Sequence, residues 1–157
     1  MVEVRAARPG EGQVLYDVTA EAISGLAAGH YTPAQISQWM GGRDAAHYEQ
    51  VIAGGAVRVA ERDGMVLGFV DTAPGVLLRL FVRPEAAGQG LGRRLLALGV
   101  AAALRNGGVQ LEATLNAAPF YARHGFVALG RAIYQHELGG LPVEIVKMVY
   151  WAPRAPD

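Results

Sequence analysis

A glycine-rich stretch at the centre of the chain carries residue types that bind an anion. Residues 80–82 are apolar, Pro84 ends this run because proline cannot donate to a strand ladder, and Gly88, Gly90 and Gly92 follow at alternate positions. A helical pattern begins directly afterwards. A strand, a glycine turn and a helix start point several backbone N–H groups and the positive end of a helix dipole at one place. The stretch therefore predicts an anion site, most often one for phosphate.

Two arginines next to these glycines point in the same direction. Arg93 and Arg94 fall in the first turn of the predicted helix, where a cation is disfavoured by about 0.3–1 kcal/mol. A bound polyanion would reverse the sign of that interaction, and a local rule broken at a glycine turn indicates a compensating function. The alternative is a solvated pair of arginines beside a glycine-rich connector. The spacing alone favours neither interpretation.

Length and composition narrow the function classes. The chain has 157 residues, which predicts one domain over residues 1–157, and its formal net charge is zero. Without a broad electrostatic field, neither a nucleic-acid-binding nor a membrane-surface protein is expected. Cysteine is absent, which excludes disulfides, thiolate metal sites and cysteine nucleophiles. The charged first residues and the lack of a long apolar run predict a soluble cytoplasmic protein, either a monomer or a homodimer.

Apolar periodicity predicts the elements that must position the glycine turn. Spacings of three and four predict helices over 13–28, from Pro33 through Met40, over 45–53, and after the turn with a stripe of Leu91, Leu95, Leu98 and Ala102. A further short helix is predicted after Asn116, through Arg123. Alternation predicts strands over 2–6, 56–60, 65–70, 76–82, 109–114, 126–136 and 143–150.

Turn residues indicate how these strands connect. Asp63-Gly64 and Pro74-Gly75 are hairpin signals, so the three strands before the glycine turn form an antiparallel meander. The strand, helix and strand that follow predict a right-handed crossover with parallel pairing. The last residues, from Trp151, are expected to form a loose tail.

Two separated motifs carry a resemblance to a known family. The first is Leu80-Phe81-Val82-x-Pro84 followed by Gly88-Gln89-Gly90-Leu91-Gly92-Arg93, and the second is Leu115-Asn116-Ala117-x-x-Phe120-Tyr121-x-x-x-Gly125-Phe126. Together with the element order they resemble the GNAT superfamily of N-acetyltransferases, over residues 2–150. The resemblance implies an α/β (α+β) fold with a mixed, mostly antiparallel sheet of six or seven strands and about four helices. It also implies acetyl-CoA as cofactor and a small-molecule or peptide amine as acceptor.

The resemblance assigns the cofactor site to particular residues. Its pyrophosphate would lie on the glycine turn, and its acyl and pantetheine portion on the backbone of the preceding strand; these residues are Leu80, Phe81, Val82, Gly88, Gln89, Gly90, Leu91, Gly92, Arg93 and Arg94. The Val82 N–H would polarise the thioester carbonyl. Asn116 matches the family's cofactor-contacting asparagine, although an asparagine here is also a favoured helix N-cap.

The same resemblance implies a catalytic acid but leaves the base open. Tyr121 matches the tyrosine that protonates the leaving thiolate, while its alternative role is packing within an aromatic pair. Arg79 stands close to where some members carry a glutamate. Glu112 and Asp71 are the candidates for taking the proton of the amine, with Glu144 third. An acceptor pocket is predicted from His30, Tyr31, Trp39 and Arg79, and no metal site is predicted.

Two other function classes remain open on the sequence. One is a non-catalytic acyl-CoA-binding or regulatory module, which the open question of the base motivates. The other is a dinucleotide-binding oxidoreductase, since Glu112 follows the glycines at about 20 residues. The antiparallel meander upstream disfavours this second alternative, because a doubly wound sheet is mostly parallel.

Overall fold

A seven-stranded sheet in the order β1-β2-β3-β4-β5-β7-β6 forms the centre of the computed structural model, which describes residues 1–135 and 138–153. All neighbouring strands are antiparallel except β4 and β5. The strands are β1 Glu3–Ala6, β2 Arg58–Arg62, β3 Met65–Ala73, β4 Val76–Val82, β5 Gly108–Thr114, β6 Val127–Tyr134 and β7 Val143–Trp151. The predicted meander, the parallel crossover and the seven strands are thus confirmed.

Five α-helices flank the sheet in the described part of the chain. They are α1 Gly12–Leu26, α2 Pro33–Ser37, α3 Ala45–Ala53, α4 Leu91–Ala103 and α5 Ala118–Arg123. The expected number was about four. A single 3-10 turn, Pro84–Ala86, lies between β4 and the glycine turn, where the sequence indicated only a connector. None of the described helices is long and apolar enough to cross a membrane.

The second helix is much shorter than its pattern predicted. Thr32 and Gln35 form a capping box at its start, but α2 ends at Ser37, and Trp39 lies in the turn that follows. Gly41 has a positive φ of 53°, a backbone conformation that a continuing helix does not allow. Because Trp39 lies outside the helix, its indole is placed by the turn and is buried against the sheet.

The apolar stripe of α4 is also different from its predicted form. The buried residues are Leu91, Leu95, Leu96, Gly99 and Ala103, whereas the predicted Leu98 and Ala102 are exposed. Gly99 explains the shift: a β-carbon there would lie 2.8 Å from Val70 Cγ2 and 3.1 Å from Leu77 Cδ1. A residue without a side chain lets α4 lie directly on β3 and β4, which fixes the position of its N-terminus.

The helices cover the two faces of the sheet separately. Leu15, Val18 and Tyr48, from α1 and α3, pack on Phe69 and its neighbours in one cluster. The buried residues of α4 and Tyr121 of α5 pack on the opposite face with strand residues of both halves. We call these the α1 face and the α4 face. Predicted segments that reach His136 or Arg154–Asp157 extend outside the described residues.

Candidate functional site

The strands β4 and β5 separate into a wedge at the centre of the sheet. Their pairing consists of one parallel bridge, Val76 with Gln110, next to a hydrogen bond from the Gln110 N–H to the Gly75 carbonyl at 2.9 Å. Beyond this point the two strands diverge, and the remainder of β4 has a strand partner only on its β3 side. The sheet therefore contains an internal edge whose backbone groups are free to bind a ligand.

The alternation of backbone hydrogen bonds along β4 determines which of its N–H groups face the wedge. The Arg83 N–H donates to the Leu67 carbonyl at 2.8 Å, so alternate residues of β4 bond to β3. Leu80 and Val82 are the alternate residues that do not bond to β3, so their N–H groups point toward β5. A β-bulge nearer the start of β4 shifts its register against β3, since Asp71 pairs with Arg79 but Thr72 pairs with Leu77. Of the three residues that the motif predicted, Leu80 and Val82 have N–H groups without a strand acceptor among the described residues, whereas the Phe81 backbone faces β3.

The glycine turn, residues 88–92, follows β4 beside the end of the wedge at which β4 and β5 have diverged. Gly88 and Gly90 have φ values of 80° and 79°, which only glycine adopts at little cost, and Gly90 is the N-cap of α4. The first backbone bond of the helix runs from the Arg94 N–H to the Gly90 carbonyl. Within the described chain, the amides of residues 88–93 have no backbone acceptor. They form a cradle of N–H groups at the positive end of a helix of 13 residues.

The side chains around this cradle do not all face it. Arg94 donates to the Val2 carbonyl at 2.9 Å and so holds the N-terminal strand, while Arg93 is exposed. Arg62, at the end of β2, donates to the Gln89 side chain at 3.3 Å. Arg62 is not among the residues that the sequence predicts here, because only the register of the meander brings the end of β2 to the turn. Arg62 therefore joins Arg93 as a cation near the anion cradle.

A buried arginine supports the chain between β4 and the turn. Arg83 donates from Nε to the Val66 carbonyl at 2.8 Å and pairs with Glu21 of α1 at 2.8 Å. Pro84 packs against Gly25, where a β-carbon would lie 2.5 Å from the proline ring. These contacts anchor the start of the turn to α1 and to β3, which makes the position of the cradle a property of the folded core.

Asn116 lies where β5 ends, and its side chain has an unused acceptor. The N-cap of α5 is Ala117, without a side-chain cap, so the alternative role of Asn116 as N-cap is wrong. Its Oδ1 atom is buried and has no hydrogen-bond partner among the described residues. A buried acceptor without a partner costs about 1–3 kcal/mol, and such an atom next to a cleft fits a ligand with a donor, such as the amides of a pantetheine chain.

Tyr121 of α5 is buried on the α4 face of the sheet. Its ring contacts Phe120 and Phe126 in edge-to-face arrangements with centroids at 5.3 and 5.6 Å, so the predicted aromatic packing is present. Burial raises the pKa of the phenol well above its ordinary value. The hydroxyl therefore stays protonated over the physiological range and can donate a hydrogen bond. Packing and a role as proton donor are compatible in this geometry.

A cavity of about 460 Å³ opens on the α1 face of the wedge. Its walls come from α1, the turn after α2, α3 and four strands of the sheet. Its charged lining residues are Arg43, Arg79, Glu112 and Lys147, and its aromatic ones are Trp39, Tyr48, Phe81 and Tyr134. The cradle and the cavity thus meet at the wedge from opposite sides, which is the arrangement that two reacting ligands require.

The three acidic candidates occupy different environments. Asp71 is buried, lines a neighbouring cavity of about 550 Å³ and accepts from Arg79 Nη1 at 2.6 Å. Burial raises the pKa of the Asp71 carboxyl, while the Arg79 charge acts in the opposite direction. Glu144 pairs with Arg131 at 3.1 Å on the exposed surface. Glu112 alone of the three lines the cavity that reaches the wedge.

The predicted acceptor residues are only partly brought together. Trp39 and Arg79 line the cavity, with the Trp39 indole held edge-on by the Tyr31 ring at 4.9 Å. The Tyr31 hydroxyl donates to the Glu144 carbonyl at 2.5 Å and accepts from the Leu115 N–H at 2.9 Å. Tyr31 therefore joins β7 to the end of β5 and does not line the cavity. His30 is exposed in the loop after α1, away from the cavity lining.

Comparisons with known proteins identify similar chains. Residues 53–128 match the family model described as an acetyltransferase (GNAT) domain. The chain is 29% identical over 125 residues to the uncharacterized N-acetyltransferase YafP of Escherichia coli (strain K12), covering 80% of this chain and 81% of that protein. The matched model includes the meander, the glycine turn and α5.

Two solved structures show the same fold. One is a GCN5-related N-acetyltransferase from Rhodopseudomonas palustris, with a TM-score of 0.84 and 23% identity over 95% of this chain and 94% of that chain. The other is the PaiA N-acetyltransferase from Thermoplasma acidophilum in complex with coenzyme A, with a TM-score of 0.74 and 19% identity over 96% of this chain and 99% of that chain.

Proposed function

We propose that the chain, a member of the GNAT superfamily of acetyl-CoA-dependent N-acetyltransferases, transfers the acetyl group directly to a primary amine in a ternary complex. The observation that carries this proposal is the wedge between β4 and β5, which joins an anion cradle on one side to a cavity on the other. The absence of cysteine supports direct transfer, since no thiol can hold the acyl group in between.

The residues present fit acetyl-CoA. The amides of residues 88–93, with Arg62 and Arg93 nearby, would hold the pyrophosphate. The unused Asn116 Oδ1 and the N–H groups of Leu80 and Val82 would hold the pantetheine arm and the acetyl carbonyl. When bound, acetyl-CoA supplies an acyl group activated as a thioester. The chain's part is to bind it, to polarise its carbonyl from the Val82 N–H and to place it at the wedge.

Glu112 is the base that this arrangement favours. An amine has a pKa near that of lysine, about 10.4, so it arrives charged and must lose a proton before its nitrogen can attack. Glu112 lines the cavity and would take the proton of the amine directly or through one water. Asp71, in contrast, is already bound to Arg79 and lines the neighbouring cavity. Glu112 or solvent would take this first proton before the attack. The nitrogen would lose a second proton as the new carbon–nitrogen bond forms and the carbon–sulfur bond breaks, and this proton would pass to solvent, or to Glu112 once Glu112 has released the first.

Tyr121 supplies the matching proton on the other side. Its phenol remains protonated, and a thiolate with an ordinary pKa near 8.5 is stabilised by accepting a hydrogen bond or the proton from it. The products are then an acetylated amine and free coenzyme A thiol. Tyr121 recovers its proton from solvent once the thiol leaves.

Steady-state kinetics with two matched variants test these roles. Glu112→Gln and Tyr121→Phe are each expected to lower kcat about a hundredfold or more, while the Kd of acetyl-CoA from titration calorimetry changes little. Glu144→Gln is the control, because Glu144 pairs with Arg131 at the surface. Full turnover in Glu112→Gln, with loss of turnover in Asp71→Asn, would transfer the base role to Asp71.

The non-catalytic alternative has a separate outcome. Saturable acetyl-CoA binding with no acetylation across a broad panel of amines would support a binding or regulatory module. Lack of saturable acetyl-CoA binding at sub-millimolar concentration would remove both interpretations.

A further inference from the structure

The acceptor cavity has a charge pattern that selects among amines. Among the described residues that line it, Arg43, Arg79 and Lys147 are cations and Glu112 is the one acid. Glu112 and Lys147 are register partners on β5 and β7, and Arg79 lies across the wedge on β4. Thus β5, which carries the proposed base Glu112, has a cation of the cavity lining on the neighbouring strand on either side.

Arg79 is built to bind a second carboxylate. Its Nη1 contacts Asp71 at 2.6 Å, and this buried partner holds the guanidinium in place. No other ion pair is made by Arg79 within the described residues, and its side chain remains 30% exposed where it lines both this cavity and the neighbouring one. A guanidinium presents five donors in a planar fork, so the remaining donors suit a carboxylate of a ligand.

The segment after α2, which contributes Trp39 and Arg43 to the cavity lining, contacts the described residues that precede β7. The Gly42 N–H donates to the Leu138 carbonyl, and a β-carbon at Gly41 would lie 2.2 Å from the Gly139 carbonyl oxygen. Nearby, Gln35 Nε2 donates to the Pro142 carbonyl at 3.0 Å. These contacts join the segment after α2 to the loop between β6 and β7. A volume of about 460 Å³ is in the range of small-molecule sites.

We infer, on the basis of the proposed function, that the acceptor is a small α-amino acid with an apolar or aromatic side chain. Its amine would lie at Glu112, its carboxylate would bind Arg79 and Lys147, and its side chain would pack on Trp39 and Phe81. A polyamine is disfavoured, because its further positive charges would meet Arg79 and Lys147.

Matched pairs of acceptors test this inference. Phenylalanine with phenethylamine, leucine with 3-methylbutylamine and lysine with cadaverine differ only in the carboxylate, and spermidine and a lysine-containing peptide complete the panel. The readout is release of coenzyme A thiol at saturating acetyl-CoA. The carboxylated member of the first two pairs is expected to have a kcat/KM at least about tenfold higher, since one charge-assisted hydrogen bond accounts for that ratio.

Variants locate the preference in the cavity. Lys147→Gln and Arg79→Gln are expected to reduce the ratio of kcat/KM between the paired acceptors by about tenfold, mainly through KM of the carboxylated member. Arg79→Gln leaves the buried Asp71 carboxylate without its ion-pair partner, which could unfold the protein. Lys147 is exposed, so Lys147→Gln tests the inference independently of that outcome. Arg58→Gln, at an exposed position of β2, is the control and should keep the ratio of the unmodified protein.

The outcomes separate this inference from the proposed function. Equal or better acetylation of the decarboxylated amines, of spermidine or of the peptide overturns the inference and leaves the acetyltransferase proposal standing. An unchanged ratio in Lys147→Gln and Arg79→Gln also overturns it. Absence of acetylation for every amine, with acetyl-CoA bound, overturns the proposed function and the inference together.

Discussion

Replacing Gly90 by alanine separates backbone strain from cofactor binding. Gly90 has a φ of 79°, and a β-carbon placed on it meets no described atom within 4 Å. The apoprotein can therefore accommodate the methyl group sterically, and the cost is that of an L-residue in the left-handed region, about 1–2 kcal/mol. In a domain of this size the expected decrease in Tm is about 2–8 °C.

Gly107 provides a matched control at the other end of the same helix. Its φ is also 79°, and its β-carbon would likewise meet no described atom within 4 Å. The helix α4 between them has 13 residues and is about 20 Å long. Gly107→Ala should therefore lower Tm by about the same amount as Gly90→Ala, without touching the anion cradle.

The two variants should differ in acetyl-CoA affinity. The methyl group of Gly90→Ala would occupy the space in which the pyrophosphate approaches the amides of residues 88–93. We expect titration calorimetry to give a Kd raised tenfold or more, which corresponds to about 1.4 kcal/mol, and an unchanged Kd for Gly107→Ala. Equal affinities in the two variants, after both are shown to be folded at the assay temperature, would refute the assignment of the cradle.

Three further predictions follow from the contacts described. Asn116→Ala should keep or raise Tm, because it removes a buried acceptor without a partner, and should weaken acetyl-CoA binding about fivefold or more; a lower Tm with unchanged affinity would contradict this. Tyr31→Phe removes two hydrogen bonds and should lower the free energy of unfolding in urea by about 1–3 kcal/mol, unlike the control Tyr16→Phe. The Arg5 guanidinium lowers the pKa of Glu11 below its ordinary value of 4.5, so its contribution to stability is present above that pH and is lost as the pH falls. Glu11→Gln should therefore lower stability at pH 7 and flatten the fall in stability under acid conditions; parallel curves would contradict this.

Local signals predicted the elements that carry the cofactor site. The hairpin dipeptides determined the meander, and the glycines and the start of α4 lie where their residue types require. In contrast, Trp39 was predicted on a helix that ends at Ser37, because apolar spacing continues through a turn whose backbone is set by contacts with other segments. Short helices have little stability of their own, so tertiary contacts determine where they end.

The acceptor side of the site could be predicted less well. The position of Arg62 next to Gln89 depends on strand register, and the pairing of Arg79 with Asp71 depends on a bulge that no local pattern marks. The separation of β4 from β5 arises from the whole sheet, so the sequence could name Glu112 and Asp71 as candidates but could not rank them. The cavity that each of them lines is the basis on which we propose Glu112.

The central claim is direct transfer from acetyl-CoA to an amine at the wedge. Rapid mixing of excess protein with acetyl-CoA, with and without amino acid, measures it most directly, with thiol release and the intact mass of the protein as readouts. The account predicts release of coenzyme A only when the amine is present, in equal amount to the acetylated amine, and no acetyl group on the protein. A burst of thiol without amine, together with an acetylated protein, would contradict it.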